Sequence, residues 1–329
     1  MRKHSFLLSL ALIAAPVVCS AATVAFKDGN ITFAESTPWG NVEIDFAHCM
    51  ANHLYTFSSV RLDGVEVNHT ESDNIGPFLI DQKGWSGGNH VNGDRLSAET
   101  ESVCVSVDGR RLVADTVVNG KVLTVEVVNR LRHPVDDSPL DIERIVYNVS
   151  GNSIEVFASH EFQNARPEMI ERYYGMQSMF MNETETLAPG SCYATWTTYP
   201  VTSTGNEIRF TKASAPAFST FVEHSANGYQ AAHMTRDALG DRSLVKDDDI
   251  IFIGNSWSKT YHKLIGMHPV KSGDRFAWHG IYSWFREPVS DRSRKGDELC
   301  PTFDYGAYIA GEPFIFHLHP DGSMTAIPL

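Results

Sequence analysis

The chain has 329 residues, a formal net charge of −13 and 42% hydrophobic residues. An acidic surface argues against nucleic-acid binding, which needs a basic footprint, and it disfavours a polyanionic ligand unless cations gather in one groove. The length and apolar content suffice for a large buried core.

Arg2, Lys3 and His4 form a positive start, residues 6–18 form an apolar run, and Cys19-Ser20-Ala21-Ala22 offers small residues for cleavage. This is the pattern of a secretory signal peptide over residues 1–22, too short to remain as a membrane span. The mature chain, 23–329, is expected to be one secreted or periplasmic domain with no transmembrane segment. Anchoring as a lipoprotein through Cys19 is the lesser alternative, because Pro16-Val17-Val18 is a poor lead-in. Four cysteines remain, Cys49, Cys104, Cys192 and Cys300, at spacings that match no zinc motif; an oxidising compartment permits one or two disulfides of undetermined pairing. Asn30, Asn68, Asn148 and Asn182 lie in glycosylation sequons.

Beyond that point the chain reads as strands and tight turns. Asp28-Gly29, Asp63-Gly64, Asp108-Gly109, Asn119-Gly120, Asn227-Gly228 and Asp321-Gly322 are hairpin dipeptides. Residues 102–131 read as three strands separated by the Asp108-Gly109 and Asn119-Gly120 turns. A second meander runs over 142–149 and 154–162 through Ser150-Gly151-Asn152, rich in Val and Ile. No long segment has a helical period; residues 134–139, 183–191 and 287–301 read as loops. The expected fold is all-β: a large antiparallel β-sandwich of two sheets packed face to face.

Gly84-Trp85-Ser86-Gly87-Gly88 matches the serine-hydrolase G-x-S-x-G pattern, but no strand–turn–helix context surrounds it, so Ser86 is not read as a nucleophile. The same loop offers other chemistry: Trp85 a stacking face, Asn89 and His90 hydrogen bonds, and the glycines close backbone approach. In the strand ending Ser159-His160-Glu161, period two puts His160 with Ala158 and Val156, and Glu161 with Phe157 on the opposite face. Arg172-Tyr173-Tyr174-Gly175-Met176-Gln177 follows; Tyr173, Gly175 and Gln177 are expected on one face and Arg172, Tyr174 and Met176 on the other. Trp278, Gly280, Tyr282 and Trp284 share a face that could be a sugar platform or sandwich core. His262 and His279 are single candidates. His317 and His319 share a face, but two ligands do not make a metal site, and no cofactor is expected.

The Gly-Gly-Asn-His loop, the His-Glu strand and the Arg-Tyr-Tyr segment, on a large antiparallel framework, resemble the galactose-mutarotase-like supersandwich superfamily. That superfamily includes aldose epimerases and sandwich domains of polysaccharide lyases. The resemblance implies a polysaccharide or oligosaccharide partner. The late acids Glu287 and Glu312 do not stand in an epimerase context. The lyase reading is β-elimination on a uronate, with His90 and His160 as base candidates, Tyr174 as acid, and Arg172 with Asn89 on the carboxylate. Trp85, Asn89, Glu161, Tyr173, Gln177, Trp278 and Trp284 would complete the substrate surface. The alternatives are a non-catalytic glycan binder using Trp85, Trp278 and Trp284, a mutarotase-like enzyme, or a glycoside hydrolase pairing Glu161 with Glu171.

Overall fold

The computed structural model describes residues 21–68, 73–179, 192–194, 208–211, 217–223, 228–235, 249–254, 259–291, 294–295, 298–299, 303–318 and 324–329. Among them every regular element is a β-strand, and no helix is long and apolar enough to cross a membrane. Residues 1–20 of the expected signal segment, Asn182, Cys300, His319, Asn227 and Asp321-Gly322 lie outside the described residues. Ala22 already opens the first strand and pairs with Gly120.

A nine-stranded antiparallel sheet forms the spine. Its order is Cys192–Ala194, Ala217–Glu223, Tyr229–Thr235, Arg275–Phe285, Ser153–Phe162, Pro139–Ser150, Leu123–Arg132, Ala98–Val107 and Arg110–Arg111. Its inner face is apolar by alternation: Val125, Tyr147, Val156 and Tyr282 are each buried to 0% exposure or nearly so. An amino-terminal six-stranded sheet (Thr116–Gly120, Ala22–Lys27, Asn30–Thr37, Gly40–Cys49, Leu54–Leu62, Val65–Asn68) packs on part of that face. Phe57 makes edge contacts with Tyr147 and Tyr282 at 5.9 and 5.5 Å there. A second six-stranded sheet (Ile208–Thr211, Asp249–Gly254, Lys259–Val270, Glu168–Met179, Phe78–Ile80, Gly84–Ser86) covers the same face further along, where Phe78 and Tyr173 meet His160 and Phe276. The expected sandwich is therefore present, with its opposing layer split into two sheets. A four-stranded sheet (Ser290–Asp291, Phe303–Ile309, Glu312–Leu318, Met324–Pro328) seals one end of the outer face by stacking Tyr305 on Phe285.

Asp28-Gly29, Asp63-Gly64 and Asp108-Gly109 each link consecutive paired strands with both residues at positive φ. Asn119-Gly120 does not turn. Both residues end a strand that pairs with the first strand, so the expected 102–131 meander is divided between two sheets. Gly120 is needed for space: a Cβ there would lie 2.2 Å from Val107. The expected 287–301 loop instead contains Ser290–Asp291 and a small hairpin of Arg294–Lys295 with Glu298–Leu299. Cys49 and Cys104 are free thiols, so neither is in a disulfide. Asn68, the acceptor of one sequon, is fully buried. His317 Nδ1 bonds Asp304.

The Ser150–Ser153 hairpin ties three sheets together. Glu35 Oε2 accepts the Gly151 N–H at 2.8 Å, and Asn152 donates to the carbonyls of Trp284 and Gly306 at 2.8 and 2.9 Å. Burial pushes the Glu35 carboxyl up from 4.5 to about 7. The folded state thus holds this proton more tightly than the unfolded chain. The contribution is full below pH about 4.5 and is lost as pH rises to about 7, to a maximum of roughly 3 kcal/mol. Glu35→Gln keeps the acceptor oxygen and cannot ionise. It is expected to raise the urea midpoint at pH 8 and leave it nearly unchanged at pH 5; an equal effect at both would refute the assignment.

Candidate functional site

The Gly-rich loop is anchored from beneath. Gly87 and Gly88 have φ of 91° and 53°, and a Cβ on Gly88 would lie 2.7 Å from Asp73 Oδ1. Asp73 accepts the Asn89 N–H, and its other oxygen lies 3.7 Å from His90 Nε2. Buried Asn52 donates to the carbonyls of Gly88 and His90, both at 2.8 Å, and accepts from the Ser97 N–H at 2.8 Å. The Ser97 hydroxyl also donates to the His90 carbonyl. Asn89 Oδ1 accepts the Ala51 N–H at 2.6 Å, so Asn89 holds the loop as well. Ser86 is buried and donates to the Arg132 carbonyl at 2.8 Å, a structural role. Asn52 escaped sequence reasoning because its partners Gly88, His90 and Ser97 lie 36, 38 and 45 residues away in the chain.

This anchoring sets up a row of rings. His90 stacks on Trp85 at 4.9 Å and 17°; Trp85 stacks on Tyr174 at 6.1 Å and 26°; Tyr174 meets Tyr261 at 4.7 Å and 46°. Trp85, His90 and Tyr261 are partly exposed, while Tyr174 is largely covered. Arg172 Nη1 donates to the Tyr174 hydroxyl oxygen at 3.3 Å, and its Nη2 donates to Glu171 Oε1 at 2.7 Å. Both contacts raise the Arg172 pKa against the lowering effect of burial. Trp85, His90, Arg172 and Tyr174 therefore share one surface, with Asn89 in the adjoining loop. Tyr261 was not anticipated; its signal was a register pairing across Lys259–Val270 that alternation alone does not supply.

A second group lies between the layers. His160 Nδ1 donates to Asp141 Oδ2 at 2.7 Å, and its Nε2 accepts from the Tyr173 hydroxyl at 2.8 Å. Tyr173 in turn accepts from Trp278 Nε1 at 3.0 Å; these proton positions follow from the partners. Asn129 donates to Glu143 Oε2 at 2.8 Å, and Glu143 Oε1 is 4.0 Å from His160 Nε2. Burial raises the Glu143 pKa, with His160 opposing, and burial drives Tyr173 well above its ordinary value. A cavity of about 20 Å³ separates this cluster from the loop, bounded by Gly76, Gly87, Gly88, Asn129, Glu143 and Tyr147. It is large enough for one water.

The remaining candidates disperse. His160, Tyr173 and Trp278 are at most 2% exposed, and Trp284 and Gln177 are likewise buried. Trp284 packs on Phe57 and Tyr282. As placed, Trp278 and Trp284 are core, with no face for a sugar, and His160 is closed off from a polymer. The expected alternation over 172–177 breaks at register shifts flanking Tyr174. Tyr173 meets Trp278, and Met176 lies against Gly280 of the central sheet, so these two share the inner side. Glu161 lies on the outer face of the central sheet, held below its ordinary pKa by Arg275 at 2.9 Å. Glu171 sits in the opposing sheet beside Arg172, so the Glu161–Glu171 hydrolase pair does not form on one surface. His262 is buried, which pushes it down to about 3.

No protein-family model matches the chain, and no curated protein matches it in sequence. Among solved structures it is similar to the galactosidase domain of the alpha-galactosidase–sucrose kinase AgaSK, at 9% identity and TM-score 0.47, over 80% of this chain and 42% of that one. It is also similar to a Klebsiella pneumoniae protein assigned as an aldose 1-epimerase, at 8% identity and TM-score 0.41, over 79% and 80% of the two chains. A third is a GH36 alpha-galactosidase variant, AgaA of Geobacillus stearothermophilus, in complex with raffinose, at 8% identity and TM-score 0.39, over 80% and 40%. The chain spans less than half the length of the two galactosidases it matches. The likeness is one of strand layout.

Proposed function

We propose that this chain is a secreted carbohydrate-active protein that holds a sugar on the ring row of Trp85, His90, Tyr174 and Tyr261. The observation that carries the reading is the row itself: four rings in contact, three of them partly open to solvent, with the Arg172–Glu171 pair beside Tyr174. Sugar C–H faces pack on aromatic rings, and a few convergent polar groups fix orientation. Arg172 and Glu171 supply donors and acceptors for hydroxyls.

β-Elimination is the finer reading, favoured by the Arg172–Tyr174 hydrogen bond. A guanidinium donating to the phenol oxygen favours the phenolate, which lets Tyr174 exchange a proton with a leaving oxygen. His90, backed by Asp73, would take the base role. A uronate carboxylate would have to displace Glu171 from Arg172, so a neutral sugar fits the resting site with less rearrangement. The test is absorbance of newly formed unsaturated uronate across a panel of uronate polysaccharides. Elimination is expected to give a rising signal that Tyr174→Phe reduces at least about a hundredfold without loss of fold. A rise undiminished in Tyr174→Phe would remove that role. No rise, with glycan still retained on affinity gels, would leave binding as the function of the row.

A further inference from the structure

We propose a second saccharide-binding face, on the outer side of the nine-stranded sheet and distinct from the Trp85 row. Phe157 and His279 are cross-strand partners there, stacked at 4.3 Å and 18°. Phe157 is 41% exposed. Stacking covers one face of its ring and leaves the other toward Val146, its partner on the neighbouring strand. Beside this ring the sheet carries Arg144, then Ser159 and Ala277 in register.

The charges on this face separate Arg144 from the rest. Arg130 is paired with Glu101 at 2.7 Å, Arg132 with Glu99 at 2.7 Å, and Arg275 with Glu161 at 2.9 Å. Arg144 is exposed and lies in the field of Glu101 and Glu161 without a contact at ion-pair distance to either. An exposed aromatic ring and an exposed planar donor beside two small residues match a pyranose ring, whose C–H face packs on Phe157 while its hydroxyls bond Arg144 and Ser159. The occupant is a neutral glycan chain. Glu99, Glu101 and Glu161 each hold an arginine of this face, and the whole chain is at −13, which disfavours a polyanion. An open sheet face suits an extended chain rather than a single enclosed sugar.

The experiment is affinity electrophoresis of the full chain through gels carrying laminarin, xylan or galactan as neutral probes and polygalacturonate as the acidic one. Phe157→Ala, Arg144→Ala and Trp85→Ala are compared, each checked for an unchanged melting curve. Phe157→Ala is expected to weaken retention by a neutral glycan about tenfold and Arg144→Ala severalfold, both in the wild-type chain and when added to Trp85→Ala. Wild-type retention in both outer-face variants, with loss only in Trp85→Ala, would overturn this inference and leave the Trp85 reading standing. Loss in the outer-face variants on polygalacturonate alone would overturn the neutral assignment. Retention of the wild type on none of the gels would overturn both.

Discussion

Asp141→Ala is expected to lower unfolding stability by about 3–5 kcal/mol. Asp141 and His160 are among the most deeply buried polar residues of the sandwich, and both side chains have 0% exposure. Their 2.7 Å contact is the first link of a chain running through Tyr173 to Trp278. Removing the carboxylate leaves the Nδ1–H of His160 facing an apolar wall of Phe276 and Phe78, stacked or edge-on at 4.4 and 5.2 Å. No water replaces the lost acceptor without opening the layers. Asp141→Asn keeps one oxygen for Nδ1–H and is expected to cost less. Tyr173→Phe strands both His160 Nε2 and Trp278 Nε1 and should cost about 1–3 kcal/mol for each stranded group. Urea unfolding of the three variants checks the order. A loss below about 1 kcal/mol for Asp141→Ala would show that the cluster is not a closed network.

Gly76→Ala is expected to damage fold and site together. The segment through Asn74 and Gly76 lies along Glu168–Met179: Gly76 N–H donates to the Gly175 carbonyl at 3.3 Å, and Gln177 N–H to the Asn74 carbonyl at 3.0 Å. The Tyr282 hydroxyl donates to the same Asn74 carbonyl at 2.6 Å. A Cβ on Gly76 would stand 1.8 Å from the Tyr174 carbonyl oxygen. Backbone cannot swing aside as a side chain can, so the segment must separate from the strand. Overpacking of this kind costs roughly 3 kcal/mol or more, and it displaces Tyr174 from the ring row. Unfolding midpoint and glycan retention should therefore fall together. A variant that melts normally and binds normally would show that the segment is not fixed to the strand.

Much of this architecture was legible in the residues. The Asp28-Gly29, Asp63-Gly64 and Asp108-Gly109 hairpins, the strand-rich pattern and the face assignments of 154–160 and 278–284 hold in the structure. What alternation does not contain is the identity of what covers a face. Trp278 and Trp284 were rightly grouped, yet the group is core because Tyr173 and Phe57 close over it. The Asn119-Gly120 dipeptide misled for a related reason: its glycine answers a close approach by Val107, without a positive φ. Tyr173 and Tyr174 face opposite ways as period two expects, but the register shifts around Tyr174 turn Met176 inward beside Tyr173 instead of leaving it with Tyr174. The Trp85–His90 pair was visible as a loop with a ring, Asn and His. Its stack depends on Asn52 and Ser97, whose role is set by packing across the sandwich.

The most direct measurement is the affinity of wild type and Trp85→Ala for the glycan that retains the wild type most strongly, by isothermal titration calorimetry at neutral pH. Trp85 lies in the ring row between His90 and Tyr174, so its loss should remove about 2 kcal/mol of binding, roughly thirtyfold in Kd, with the melting temperature unchanged. Equal affinity in the folded variant would contradict sugar recognition at this row.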